Sequence, residues 1–424
     1  MSTSCKLLVI ILLMGMLILN IFSIQHRSIT TDEPTHYYYG WQICKEHNSD
    51  KFNEGIMPWS SLNTIPGMLF KFSTLQDYIQ SGRYVTMIFA LLLGWYIFKW
   101  ARQLYGDIGA IFSLLLYTFS PNILAHAGLV TIDLYSTCMM TIALYYFWRF
   151  SRDHTWKSAL FSMCTLGLAQ LTKYSLVFLY GIYVLISVIN YLHERNRCKD
   201  MNALGVYRRM LIIYFVGIII SSILIINVGF LFNRSGTSFA EYQFKSNFFT
   251  FIQSHIGRLQ YLPIPLPYPY LEGIDWGMYN DQSGEGNYGN LYLLGKVRKT
   301  TPGYRGFIGY YLIACLFKVP LATQLFFLLA VFHYIYILKW NKFTFFAKEI
   351  YLLLPVIIYT IFFNIFYKRQ IGLRHYLIIF PLIYIFCGSF FQRYYFWGRK
   401  KQLLIPESAS SAGKLKNTTS KNCF

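Results

Sequence analysis

Apolar runs long enough to cross a bilayer follow one another along nearly the whole chain, separated by short breaks rich in polar residues, glycine or proline. A crossing helix needs about 20 apolar residues, and this ruler predicts spans over 7–24, 84–99, 108–121 and 131–148. As one helix, 157–190 would be about 50 Å long, too much for a single crossing, so it is predicted to be two spans with a tight turn near Lys173. A seventh span follows over 210–232, after a basic loop. In 306–338 the interruption Lys318-Val-Pro320 predicts an interfacial helix up to Lys318 and one span over 319–338. Spans over 349–367 and 376–396 complete an all-α integral membrane protein of about ten transmembrane helices.

Two long segments lie outside these spans, 25–82 and 233–305. In the first, Met57-Pro-Trp-Ser-Ser-Leu-Asn63 and Pro66-Gly67 cut the chain into pieces predicted as short interfacial helices. The second carries Pro263, Pro265, Pro267 and Pro269, then a glycine-rich run from Gly273 to Gly295, and is expected to be irregular and partly mobile. Residues 1–398 are read as one transmembrane domain capped by these two loops, and 399–424 as a basic, disordered cytoplasmic tail.

Composition agrees: of 424 residues 55% are hydrophobic and only 13% charged, about half the charged share of a soluble domain. The run 7–24 exceeds the roughly 7–15 residues of a signal-peptide core and has no small-residue cleavage site after it, so it is expected to remain as the first span. A net charge of +20 raises the question of nucleic acid, but the basic residues are scattered between spans and form no stripe. Orientation explains them: Lys and Arg are denser in the segments this topology puts in the cytoplasm, with both termini there. The eight cysteines lack paired metal-type spacing, and only Cys44 falls outside the cytoplasm and the spans, so neither a disulfide nor a cysteine zinc site is expected. Asn233-Arg-Ser and Asn417-Thr-Thr are treated as chance matches to the glycosylation triplet.

Charges in membrane spans cost about 3 kcal/mol each on insertion scales, so they face a cavity or a partner. Here Arg83, His126, Asp133, Lys173, Lys318, Arg374 and His375 all fall at the external ends of predicted spans. Asp32 and Glu33 sit at the same level, just after the first span. Pro34 favours the first turn of a helix, so Glu33 is predicted as N-cap, with His36 on the same face. His126 and Asp133 are seven positions apart, so a helix there would put them on one face. Paired carboxylates among cations at a membrane surface suit transfer of a sugar from a lipid phosphate. One carboxylate takes the acceptor hydroxyl's proton, and Arg and Lys neutralise the departing phosphate. A divalent metal would share that task; its use is left open by the residues, with Glu33 and His36 as candidate ligands. Gly289-Asn-Leu-Tyr-Leu-Leu-Gly295-Lys296 lacks phosphate-loop spacing and a following Ser or Thr, which favours a lipid-linked donor over a nucleotide.

The motifs Thr31-Asp-Glu-Pro-Thr-His36, Ser81-Gly-Arg83, Pro121-Asn-Ile-Leu-Ala-His126 with Val130-Thr-Ile-Asp133, Gly167-Leu-Ala-Gln-Leu-Thr-Lys173-Tyr174, Lys318-Val-Pro320 and Gly372-Leu-Arg-His-Tyr376 occur in order along most of the chain. Together they resemble the polyprenyl-phosphate-sugar-dependent glycosyltransferases of the C-type superfamily, which include protein O-mannosyltransferases and the bacterial aminoarabinose transferase. The resemblance implies the C-type fold and Asp32 as the catalytic carboxylate, with Glu33 assisting or binding metal. It implies Arg83, Lys173, Lys318, Arg374 and His375 for the lipid phosphate, and His36, His126 and Asp133 for site architecture. Many relatives carry a His-Pro-Pro cluster where Met57-Pro-Trp-Ser-Ser-Leu-Asn63 stands here.

The expectation is therefore an inverting membrane transferase, hexosyl or pentosyl, that moves a sugar from a polyprenyl-phosphate donor to a hydroxyl of a lipid, glycan or protein at the external face. No large soluble domain follows the spans, which points to a prokaryotic plasma membrane. Two rivals are weighed. A transporter or flippase would place charges at mid-bilayer and show an internal repeat. A non-catalytic scaffold would not need carboxylates facing cations.

Overall fold

The computed structural model describes residues 2–46, 56–197, 201–284, 290–299, 304–338 and 348–391. The tail predicted to be disordered, and the last residues of the tenth expected span, lie outside them. Almost every described element is helical; the strands are one hairpin, Leu291–Leu293 paired antiparallel with Lys296–Arg298.

Helix α1 (Thr3–His26) leads to α2 (Glu33–Cys44), a 3-10 turn Pro58–Thr64 and the short α3 (Ile65–Leu69). Next comes α4 (Leu75–Thr118), opened by a capping box in which Thr74 and Asp77 satisfy each other's backbone N–H groups. The predicted spans 84–99 and 108–121 merge here into one 44-residue element kinked at Gly106. Gly106 has φ +84°, a left-handed conformation that costs glycine little, and this breaks the helix where the sequence pattern breaks. After α5 (Pro121–Ala127) come α6 (Asp133–Asp153) and α7 (Trp156–Gln170), then a break at Leu171–Lys173, where a turn was expected, and α8 (Phe178–Arg197). Helix α9 (Met201–Gly229) precedes the segment 233–305. The C-terminal part holds α12 (Tyr310–Lys318), α13 (Leu321–Leu338), α14 (Ile350–Ile361) with a π-helical end at Phe362–Phe366, and α15 (Phe380–Cys387). Among the described residues four helical segments, Thr3–His26, Leu75–Thr118, Tyr174–Asn196 and Leu204–Gly229, are long and apolar enough to cross a membrane; the pair α12 and α13, bent by 117° at Val319-Pro320, makes up to five.

Helix α6 is the axis of the bundle, buried along most of its length against α4 and α7. Lipid tails are as apolar as leucine side chains, so such packing is held by close contact and internal hydrogen bonds rather than by water exclusion. Ring stacking supplies part of it: Phe147 lies 3.8 Å from Tyr183 and Phe150 lies 3.9 Å from Tyr214 between ring centres. Each such pair is worth about 0.5–1.5 kcal/mol. Ser162 and Tyr214 share a hydrogen bond of 2.7 Å in the same layer.

The described residues of 233–305 hold more regular structure than the composition predicted. They form α10 (Asn247–His255), α11 (Tyr268–Ser283) and the hairpin. The prolines explain part of the difference: Pro267 is the N-cap of α11 and Pro269 occupies its first turn, where a missing N–H is harmless. The buried Asp275 of α11 accepts the N–H groups of Lys245 and Ser246 at 2.8 and 2.9 Å, clasping α10 to α11.

Candidate active site

The chain leaves α1 through Arg27 to Thr31, and this strap is tied to the bundle by Arg83 of α4. Arg83 is fully buried; it donates from Nη1 to the Arg27 carbonyl at 2.8 Å and from Nη2 to the Ser28 carbonyl at 2.7 Å. Its Nε and Nη2 also grip Glu33 at 2.8 and 2.6 Å, a two-pronged ion pair with no exposure on either side. Gly82 makes room for the arrangement, since a Cβ there would sit 2.7 Å from the Asn63 carbonyl oxygen. Thr30 donates its N–H and hydroxyl to Glu33 at 2.9 and 3.0 Å, and Val130 donates its N–H at 3.0 Å. Burial pushes the Glu33 carboxyl up, but these hydrogen bonds, led by Arg83, outweigh it and hold the group below the ordinary carboxylate value.

This geometry revises two expectations. The N-cap of α2 is Asp32, not Glu33; Glu33 is the first helical residue, with Pro34 in the first turn. Arg83, expected at a lipid phosphate, has its donors engaged by Glu33 and two carbonyls. Glu33 in turn is closed off from solvent.

Asp32 is left as the accessible carboxylate of the pair, its side chain 46% exposed and ion-paired to Arg374. Arg374 Nε also binds Asp133 Oδ2 at 2.5 Å, and Lys173 Nζ binds the other Asp133 oxygen at 2.8 Å. Lys173 Nζ is also 3.2 Å from His375 Nδ1. Asp32, Arg374, Asp133, Lys173 and His375 thus form one continuous polar chain, with the buried Asp133 between two cations. The break after α7 presents Lys173, the N-terminus of α6 presents Asp133, and the turn through Gly372, at φ +53°, presents Arg374.

The remaining predicted residues take separate places. His36 pairs with Ser60 Oγ at 2.9 Å, and burial, with the Arg374 guanidinium nearby, pushes its imidazole down to about 4. The buried Nδ1 of His126 has no hydrogen-bond partner among the described residues. Lys318 ends α12, its carbonyl accepting from Asn122 Nδ2 at 2.8 Å. Its Nζ lies 3.2 Å from where a Cβ on Gly372 would stand, so it borders the Arg374 turn without lining either cavity described next. No group of three or more His, Cys, Asp or Glu suited to a metal ion occurs among the described residues. The cysteines among the described residues are free thiols.

Two cavities meet the polar chain from opposite ends. The smaller, about 250 Å³, is lined by Thr31, Asp32, His126, Thr131 and Arg374 among others. The larger, about 1130 Å³, contains Lys173, His375, Lys368 and Arg369 at its polar end. The rest is mostly apolar: Val177, Phe178 and Tyr180 line it beside Ile219, Ile223 and Ile226 of α9 and Phe362 and Phe366, with Phe249 of α10 and Tyr270 of α11. Lys368 and Arg369 were not singled out in the sequence, although Lys368-Arg-Gln-Ile371 stands directly before the Gly372-Leu-Arg-His motif. Asp281 of α11 positions them by accepting both their backbone N–H groups, at 2.7 and 3.1 Å. Burial pushes the Asp281 carboxyl up from its ordinary value.

Comparison with solved structures shows that the bundle carrying this polar chain shares the fold of known membrane enzymes. The chain resembles ArnT from Cupriavidus metallidurans bound to undecaprenyl phosphate, with a TM-score of 0.58 at 15% identity over 92% of this chain and 62% of that one. It also resembles the oligosaccharyltransferase of Archaeoglobus fulgidus in its apo form, with a TM-score of 0.58 at 12% identity over 96% of this chain and 53% of that one. The same archaeal enzyme, AglB, in complex with an inhibitory peptide and a dolichol phosphate gives 0.56 at 12% identity, over 96% and 53% of the two chains. The chain therefore spans less than two thirds of the length of these structures. Residues 69–220 match the sequence model of the dolichyl-phosphate-mannose-protein mannosyltransferase family. No curated protein matches the chain in sequence. The superfamily resemblance drawn from the motifs is supported by both the family match and the fold.

Proposed function

We propose that the protein is a membrane glycosyltransferase that moves a sugar from a polyprenyl-phosphate donor to a hydroxyl acceptor by a single inverting displacement. The observation that carries this reading is the polar chain from Asp32 to His375, with a small polar cavity at the carboxylate end and a long apolar groove at the cationic end. The carrier lies in the groove, its tail along α9 and the end of α14 and its phosphate at Lys173, His375 and Arg369. Asp32 accepts the proton of the acceptor hydroxyl. The new bond forms from that oxygen to the anomeric carbon as the bond from the anomeric carbon to the phosphate oxygen breaks, and the electron pair leaves with the polyprenyl phosphate. Attack from the face opposite the leaving group inverts the anomeric centre. Glu33 and Arg83 act as the buttress that fixes the strap carrying Asp32, and Asp133 holds Lys173 and Arg374 apart and aimed.

The reading includes a topology of ten spans with both termini in the cytoplasm and the site on the external face, in a prokaryotic plasma membrane. The bend between α12 and α13 supports it by giving the short α12 the direction of an interfacial helix. A transporter is disfavoured because the charges collect at one level of the bundle rather than along a path through it. The test uses the purified full chain in lipid nanodiscs with a panel of polyprenyl-phosphate hexoses and pentoses, reading free polyprenyl phosphate. Wild type releases it from one of these donors, and Asp32→Asn, with Asp133 still balancing Arg374, folds normally and loses release by about 10²–10⁴-fold. Release by Asp32→Asn at the wild-type rate removes Asp32 from the chemistry.

A further inference from the structure

The hairpin of Leu291–Leu293 and Lys296–Arg298 has two unlike faces. Its register sets Leu291 opposite Arg298 and Leu293 opposite Lys296 on one face, and Tyr292 opposite Val297 on the other. Leu291 belongs to the buried core and Leu293 packs against it, so the first face is docked on the bundle. In an antiparallel pair docked on one side, a second face turned to water would be polar. Here it carries Tyr292 and Val297, 64% and 60% exposed, and the tip adds Leu294 at 62%. Leu294 and Gly295 make the turn with φ +47° and +77°. Asparagine or aspartate is favoured at the first of these positions, and a leucine held there is strained. The stretch 290–299 also carries Lys296, Arg298 and Lys299 and no acidic residue.

The level of the hairpin follows from α12. Arg298 donates from Nη1 to the Arg305 and Gly306 carbonyls at 3.0 and 2.6 Å, and its guanidinium lies 4.3 Å from the Phe307 ring centre, which roots the hairpin at the start of α12. Helix α12 turns by 117° into α13. A crossing helix tilts by about 20° on average, too little to bring that angle below a right angle, so α12 runs outward from its start to its end. Its start therefore lies no farther from the bilayer centre than the bend at Val319-Pro320. The exposed residues there, Ile308, Leu312, Leu316 and Phe317, are apolar and suit the edge of the hydrocarbon. The geometry points to a membrane-docking hairpin that inserts Tyr292, Leu294 and Val297 into the leaflet bordering α12, with Lys296 and Lys299 on the phosphates of anionic lipids; this rests on α13 crossing the bilayer, as in the topology above. Apolar side chains flanked by cations, continuous with a lipid-facing helix, are the pattern such a surface takes up.

The test encodes a fluorescent unnatural amino acid at Leu294, Tyr292 or Leu316 of the full chain, one position at a time. Each protein is placed in nanodiscs of phosphatidylcholine or phosphatidylglycerol, with and without bromine on the upper acyl chains. Bromine quenches at short range, so a side chain about 5–10 Å into the headgroup and acyl boundary should lose about half its emission or more. A loss of that size is expected at Leu294 and Tyr292, as at Leu316, and a larger one in phosphatidylglycerol than in phosphatidylcholine at the two hairpin positions. Lys296→Glu with Lys299→Glu should abolish this lipid preference. Probing two hairpin positions guards against a local failure to fold at either. Quenching at Leu316 with none at Leu294 and Tyr292 overturns the docking hairpin and leaves α12 at the membrane. No quenching at any of the three overturns the level of α12 as well. Equal quenching of the hairpin in the two lipids overturns the anionic partner. Donor turnover does not enter the readout, so the transferase reading stands or falls separately.

Discussion

Replacing Glu33 by glutamine separates a structural from a chemical role for the second carboxylate. Glu33 and Arg83 are both at 0% exposure, and five hydrogen bonds converge on the carboxylate: two from Arg83, two from Thr30 and one from Val130. Glu33→Gln keeps the shape but removes the charge, leaving the Arg83 guanidinium buried beside a neutral amide whose NH₂ faces other donors. Breaking a buried pair from one side costs about 3–5 kcal/mol, a large share of a typical stability of about 5–15 kcal/mol. The thermal midpoint should fall by about 3–6 °C. Glu33→Gln combined with Arg83→Met removes both charges at similar volume, and such replacements are often near neutral, so the double variant recovers much of the loss. The assay is heating of nanodisc-embedded protein followed by size-exclusion recovery, with donor turnover measured at a temperature where each variant stays folded. The buttress reading is refuted if Glu33→Gln is as stable as wild type yet inactive, since Glu33 would then act on the substrate. An additive loss in the double variant would refute the coupling.

Two further outcomes follow from the same geometry. Lys173→Met removes a cation from the groove end while Arg374 still balances Asp133, so the donor KM should rise by about tenfold or more, one charge-assisted hydrogen bond, with little change in the acceptor KM; an unchanged donor KM would leave Lys173 with a purely structural part. His36 is held neutral in the fold down to about pH 4, whereas the unfolded chain takes up its proton near 6.5. Protons are therefore bound preferentially by the unfolded state between these values. Stability should be full above about pH 6.5 and decline as pH falls towards 4, and His36→Gln should flatten that limb of a melting profile. A wild-type profile already flat across the window would contradict the assignment.

Much of the architecture could be read from residue pattern because membrane helices obey a length ruler. The breaks at Gly106, Lys173 and Val319-Pro320 fall where the apolar runs are interrupted. The site residues Asp32, Asp133, Lys173, Arg374 and His375 could be gathered from their common position at helix ends. Their pairings could not: nothing in a linear pattern distinguishes Arg83, enclosed with Glu33, from Arg374, which reaches Asp32. Burial decides that, and it depends on how α4 lies against the strap after α1. The regular structure described within 233–305 was hidden for a related reason. Asp275 and Asp281 satisfy backbone N–H groups about 30 and 90 residues away, and such tertiary capping has no local signature.

The central claim is that the donor's phosphate and the accepting carboxylate approach from opposite ends of one polar chain. An electron cryo-microscopy structure of the protein in nanodiscs with bound polyprenyl phosphate tests this directly. The account predicts the phosphate against Lys173, His375 and Arg369, with the isoprenoid tail running between α9 and the end of α14 and the cavity at Asp32 free of lipid. A phosphate seated instead beside Asp32, His126 and Thr131, or a tail leaving by another face of the bundle, would contradict it.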